Sequence, residues 1–170
     1  MAAISGDELR ELQGPLKERY REQPESALIT LEAEGTLDEG ISCSVNTGQA
    51  LVRAGLHPGT GGDGSLACSG DMLLQALAAC AGVTMRSVAT SMGIEVSGIV
   101  HAEGDLDWRG TLAVDKEAPV GFRSIRMRFD LESDASDEEL ETLQRLTERY
   151  CVVLQTLSSA PELSVSRREL

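Results

Sequence analysis

The chain has 170 residues, 41% hydrophobic and 25% charged, enough for one domain that buries roughly 70% of its unfolded surface without a disulfide or metal staple. A formal net charge of −13 argues against nucleic acid or an anionic membrane surface as partner, because both require clustered Lys and Arg. Aromatics are only 3%, so the core falls to Leu, Val, Ile, Ala and Met.

The opening MAAISGDELRELQG has no basic segment followed by an apolar one, so it does not read as a secretory signal. Residues 6–22 carry Leu9, Leu12, Leu16 and Tyr20 on one helical face, with Pro15 expected to break or start the helix. Residues 1–24 therefore read as an N-terminal helical extension, and residues 25–170 as a single domain. Strands are expected over ALITLEAE, ISCSV and ALVRA, with turns at TLDEG and NTG. A Gly-rich loop over 55–68 leads to a helix from about 70 to 92. Ser69 caps that helix, Asp71 suits its first turn and Gly93 ends it. The helix is apolar nearly all round, as befits a buried central element or a subunit interface. Its most apolar stretch, Met72 to Met85, is interrupted by Gln75 and reads as too short to span a bilayer, so a cytoplasmic protein is expected.

Residues 94–132 alternate with period two. Ile94, Val96, Gly98, Val100 and Ala102 share one face, then Leu106, Trp108, Gly110, Leu112 and Val114, then Ile125, Met127, Phe129 and Leu131. The pattern predicts an antiparallel meander of three strands with one wet face. A second helix opens at Ser136 with Glu139 placed for a capping box, and its stripe runs Leu140, Leu143, Leu146, Tyr150, Leu154, Leu157. ELSVSRREL after Pro161 reads as a terminal edge strand. Strands in blocks between helices make the class α+β.

Four cysteines in a reducing compartment read as free thiols, metal ligands or catalysts rather than structural disulfides. Cys80 and Cys151 lie inside helices, in the contexts DMLLQALAAC and LTERYC. Spacing alone leaves them equally readable as small core hydrophobes. Neither is in a first helical turn, so an activated thiolate would need donors from elsewhere.

The stretch Ser69 to Cys80 resembles the OsmC/Ohr family pattern, in which a small residue and Pro-Glu precede an LL-x-A-L-A-A-C helix. Glu148-Arg149-Tyr150-Cys151-Val152 is similar to the family's second-cysteine segment, E-K-Y-C-P-V, and the GGDG before the first helix resembles the OsmC-like branch. The resemblance covers roughly residues 25–168. It implies an intertwined homodimer in which curved antiparallel sheets wrap two central helices and the active sites lie at the interface. It further implies a cysteine peroxidase. Cys80 would attack an organic hydroperoxide, Cys151 would resolve the sulfenic acid as a disulfide, and an external dithiol would reduce it, with no bound cofactor. The family's cation corresponds best to Arg53. Two positions depart from the pattern. The family Glu falls on Gly70, with Asp71 one residue later as its replacement, and the Pro after the second cysteine is Val152. The missing Glu keeps open an OsmC-like protein without efficient peroxidase activity, acting as a redox sensor or a binder of small apolar ligands.

Other signals are weaker. GTGGDG, Gly59 to Gly64, matches G-x-G-x-x-G but lies in a loop without the strand, helix and acidic residue of a dinucleotide site. It reads either as a rim over the active site or as a plain turn. With no C-x-x-C pair and no H-E-x-x-H, no zinc site is expected. His57 reads as a solvated loop residue and His101 as a surface strand residue. Cys43 and Cys68 read as structural or exposed thiols, with Cys68 an alternative resolving partner. Glu148, one turn before Cys151, either bonds within the site or lies on a solvated face.

Overall fold

In the computed structural model, which describes residues 5–23, 35–37, 42–46, 51–113 and 115–168, the central element is helix α2, Ser69–Met92. Leu77, Ala81, Met85 and Ala89 recur every four residues, so they stack along one line of the helix, and all four are buried. That line separates two packing clusters. Met85 and Ala89 join Val96 and Leu143, while Leu77 and Ala81 join Cys151.

Before α2 come α1 (Gly6–Glu22), then β1 (Gly35–Leu37), β2 (Ser42–Asn46), β3 (Leu51–Gly55) and the two-residue β4 (Ala67–Cys68). They make one sheet in that order, antiparallel except for the parallel β3–β4 pair. Helix α1 packs against α2 and runs through Pro15 rather than breaking there. Pro15 and Glu11 are exposed, so the carbonyl that loses its N–H partner is open to water. β1 takes Gly35–Leu37, where TLDEG was expected to turn. The strand expected over 27–34, the turn residues 47–48 and the side chains of the α1 stripe lie outside the described residues.

After α2, β5 (Ser97–Asp105) pairs antiparallel with β6 (Ser124–Glu132). The inward faces are those the alternation foretold: Val100 and Ala102 from β5, and Ile125, Met127 and Phe129 from β6, pack toward α2. Arg126 and Arg128 point out, paired with Asp105 and Asp130 respectively. The middle strand of the expected meander does not form. Residues 108–111 make a single helical turn, α3 (Trp108–Thr111), whose N-cap Asp107 accepts from the Arg109 N–H at 3.1 Å. Gly110 is buried with the Ala118 and Pro119 carbonyls close above it. Local capping and that close backbone approach override a period-two pattern there.

Two cap assignments separate prediction from structure. Helix α2 begins at Ser69 with Cys68 as N-cap and no side-chain cap bond, so Ser69 is not the cap. Gly93 ends the helix as expected, in the left-handed conformation at φ 73. The second helix opens at Ser136 with the reciprocal Ser136–Glu139 capping box, but it is two helices: α4 (Asp137–Tyr150) and α5 (Val152–Ser158), interrupted at Cys151. Residues 160–168 are exposed and carry no strand. Among the described residues β5 and β6 pair only with each other, and the expected edge strand does not join them.

Helix α2 is, by length and composition, apolar enough to cross a membrane, which the shorter window Met72 to Met85 did not suggest. It packs here on β5, α4 and α5.

Truncating Leu77 or Leu143, both fully buried, to Ala should destabilise the fold by about 2–5 kcal/mol each, read as a lower denaturant midpoint. Gly98 has φ 142 and the Asp130 carbonyl oxygen 2.1 Å from where a Cβ would sit. Gly98→Ala should therefore disrupt β5–β6 pairing and lower the midpoint by more than a surface substitution does.

Candidate active site

The interruption at Cys151 builds the site. Cys151 is extended, with ψ 105, and its own N–H still bonds the Thr147 carbonyl at 2.9 Å. The next helical bond is Gln155 N–H to the Cys151 carbonyl at 2.9 Å. The N–H groups of Val152, Val153 and Leu154 between them form the first turn of α5, where no carbonyl four residues back is available. Two successive β-branched valines weaken helix continuity at this point.

Those N–H groups turn to sulfur. Cys151 is fully buried against Leu77 and Ala81, and Cys80, half-buried in mid-α2, packs beside it. Burial pushes the Cys80 thiol up, but the Val153 N–H, the Cys151 thiol, the Val152 N–H and the Thr84 hydroxyl pull the other way and prevail. Cys80 therefore titrates below the ordinary thiol range. Burial pushes Cys151 up. The Leu154 and Val153 N–H groups oppose that, while the hydrogen bond to Cys80 and the charge of its thiolate reinforce it, so Cys151 titrates above the ordinary range. One thiol is biased toward thiolate and its neighbour toward thiol, as a nucleophile and its resolving partner require.

Asp71 is exposed in the first turn of α2, nine residues before Cys80, or about 14 Å along the axis at the helical rise. Arg53 stands exposed on β3 opposite Ser44. The interactions described at the Cys80 sulfur come from α5, Cys151 and Thr84 instead. Gly70 faces Phe122, Cys68 and Leu106, each within 3.7 Å of where its Cβ would be. Cys68, twelve residues before Cys80, is about 18 Å away along α2, too far to resolve it within one chain. The side chain of Cys43 lies outside the described residues. Glu148 is exposed and accepts from Gln144 at 2.9 Å, which is the solvated-face reading.

His57 is not a solvated loop residue. Its Nδ1 accepts from the Gly59 N–H at 3.0 Å and its ring stacks on Trp108 at 5.0 Å between centroids. The GTGGDG segment is thus an ordered turn, a short 3-10 helix at Pro58–Thr60 closed by left-handed Gly61. His101 lies on β5 with Nε2 3.0 Å from Asp130, at the surface as expected. Among the described residues no three His, Cys, Asp or Glu side chains converge on a metal site. A cleft beside Glu95, Leu131 and Asp134 lies at the Ser97–Glu132 end of the sheet, apart from the cysteines.

Sequence reasoning missed Thr84 and the α5 N–H groups. The Val152-Val153 pair after Cys151 was the available signal for the break. Thr84, four residues after Cys80, was visible only as helix spacing.

A family model described as OsmC-like protein matches residues 62–166. An OsmC-like protein from Mycoplasma pneumoniae superposes with TM-score 0.66 at 18% identity, covering 78% of this chain and 89% of that one. An organic hydroperoxide resistance protein OsmC from Legionella pneumophila gives 0.55 at 16% identity, over 78% and 92% of the two chains. OhrB of Bacillus subtilis, also an organic hydroperoxide resistance protein, gives 0.53 at 14% identity, over 79% and 94%. The sequence matches no curated protein.

Alkylation should distinguish the two thiols. Iodoacetamide at neutral pH should label Cys80 well before Cys151. The Cys80 rate should climb with pH and level off below the ordinary thiol value of about 8.5, followed by peptide mass spectrometry. Equal rates at both residues would contradict the asymmetry described above.

Proposed function

The chain belongs to the OsmC-like family, and from that premise we propose that it is a thiol-dependent peroxidase reducing organic hydroperoxides through Cys80 and Cys151. The observation that carries this reading is the contact between the two thiols, with Cys80 held low by hydrogen-bond donors and buried Cys151 held high. In the first step the Cys80 thiolate attacks the terminal oxygen of ROOH. The S–O bond forms, the O–O bond breaks, and the alkoxide takes a proton from water to leave as ROH. The sulfenic acid on Cys80 then condenses with the Cys151 thiol, forming the S–S bond and releasing water. An external dithiol returns both thiols by exchange, so no bound cofactor enters the cycle.

The functional unit in this reading is a cytoplasmic homodimer. Within one chain, apolar side chains beside the cysteines stay uncovered: Val83 is 73% exposed and Val152 70%. Leu163 and Val165 of the C-terminal segment are likewise open. A second subunit burying these surfaces would close the site to water, with Arg53 and Asp71 acting at that interface. Arg53 would then stabilise the thiolate and the departing oxyanion.

A second reading has its own observation. Where the family pattern carries Glu, a side chain on Gly70 would first meet Phe122, Leu106 and the Cys68 thiol, and the neighbouring Asp71 is exposed. Such a site would suit an OsmC-like protein that senses redox state or holds a small apolar molecule without efficient turnover.

One equivalent of cumene hydroperoxide added to the reduced protein should rapidly remove two thiols and lower the intact mass by two hydrogens. Cys80→Ser should abolish the reaction, and Cys151→Ser should stop it at a sulfenic acid trapped by dimedone. Thiols that survive, or that oxidise no faster than in Cys80→Ser, would leave the second reading in place.

A further inference from the structure

We propose that Gln155 is a positioning residue of the cysteine site: its side-chain amide bonds the Glu148 carbonyl across the α4–α5 break and holds the first turn of α5 where Cys80 meets it. The bond is direct, with Gln155 Nε2 donating to the Glu148 carbonyl at 2.8 Å. In an unbroken helix that carbonyl would take the Val152 N–H, four residues on. Cys151, extended at ψ 105, turns the Val152 N–H out of that line, and the last carbonyls of α4 then need other donors. The Cys151 N–H supplies Thr147 at 2.9 Å, and the Gln155 amide supplies Glu148.

Other side chains along this stretch bond one turn away. Thr147 and Ser158 donate to the carbonyl four residues back at 2.8 Å, and Gln144 donates to the Glu148 carboxylate four residues on at 2.9 Å. Those bonds fit a helix whether or not it is interrupted at Cys151. The Gln155 bond spans seven residues and takes the acceptor that a continuous helix would give to Val152, so it belongs to the broken form. Holding that carbonyl leaves the Val152 N–H free and fixes where α5 starts. Val153 and Leu154 of that turn pack with Cys80 against the cluster of Leu77, Ala81 and Cys151. The Val153 and Val152 N–H groups face the Cys80 sulfur as donors. Gln155 itself is exposed and acts through the turn that it anchors.

What the sulfur does rests on the peroxidase reading, whereas the closure of the break does not, so two measurements separate them. The first is the pH profile of iodoacetamide alkylation at Cys80 in the unmodified protein, Gln155→Met, Gln155→Ala and Gln155→Arg, with unfolding midpoints alongside. Met keeps the length of Gln without a donor, and Arg restores a donor. Salt at about 1 M screens the charge that Arg adds. Loss of the closing bond should slow Cys80 alkylation at neutral pH by about fivefold in Gln155→Met and move its profile upward. Gln155→Arg should keep both near those of the unmodified protein, and Gln155→Ala serves if the Met variant does not fold. A Gln155→Met or Gln155→Ala profile that superimposes on the unmodified one overturns the proposal. So does a shift that Gln155→Arg fails to reverse, since the effect would then not come from the donated bond. The second measurement is consumption of cumene hydroperoxide by the same proteins, which should fall in parallel in Gln155→Met. If the unmodified protein consumes none while the alkylation profile still shifts, the peroxidase reading falls and the role of Gln155 stands.

Discussion

A single backbone irregularity organises this site. Three N–H groups at the start of a helix must find acceptors, because no carbonyl precedes them at the right distance. Placing the interruption at Cys151 puts those donors among two sulfurs rather than in water. The same contact packs Cys151 against Leu77 and Ala81, so the α4–α5 bend and the core of α2 depend on one another. A continuous helix through Cys151 would satisfy its own backbone and leave the Cys80 sulfur without these donors.

The elements around that bend set the position of α2. Gly93 and the Ser136–Glu139 box fix where the long helix ends and where α4 begins. The two strands that follow α2 give it a flat apolar floor, with ion pairs confined to the outer face. Those outer pairs are largely exposed and contribute little to stability. Their effect is on register: Arg126 meets both Glu103 and Asp105, which a slip of one residue would send to the opposite face.

Electrostatics at the cysteines is local. The chain carries a net charge of −13, which by itself opposes any thiolate. Backbone N–H groups of α5 and the Cys151 thiol oppose that at Cys80, over the few ångströms of a hydrogen bond, where bulk charge is screened and oriented donors are not. The departure at Gly70 makes this more consequential. A Cβ at that position would meet Phe122, the Cys68 sulfur and Leu106. In the proposed cycle the thiolate is favoured chiefly by the Val153 N–H and the Cys151 thiol.

The sequence by itself determined the α+β class, the extent of α2 with its glycine stop, the capping box at Ser136 and the inward faces of β5 and β6. Each follows from short-range chemistry: periodicity, capping and the conformational freedom of glycine. The two cysteine motifs also pointed to the OsmC-like family, though only as a resemblance. Tertiary structure decided the rest. Alternation over 106–114 gave way to α3 because Asp107 caps a turn and Gly110 lies under two carbonyls, contacts with residues absent from the local pattern. An apolar stripe from Leu140 to Leu157 could not show that the helix breaks within it, since one of the sulfurs facing the break, Cys80, sits on another helix. For the same reason the bias of Cys80 toward thiolate was not legible: its main donors come from a segment some seventy residues downstream, brought to it only by packing.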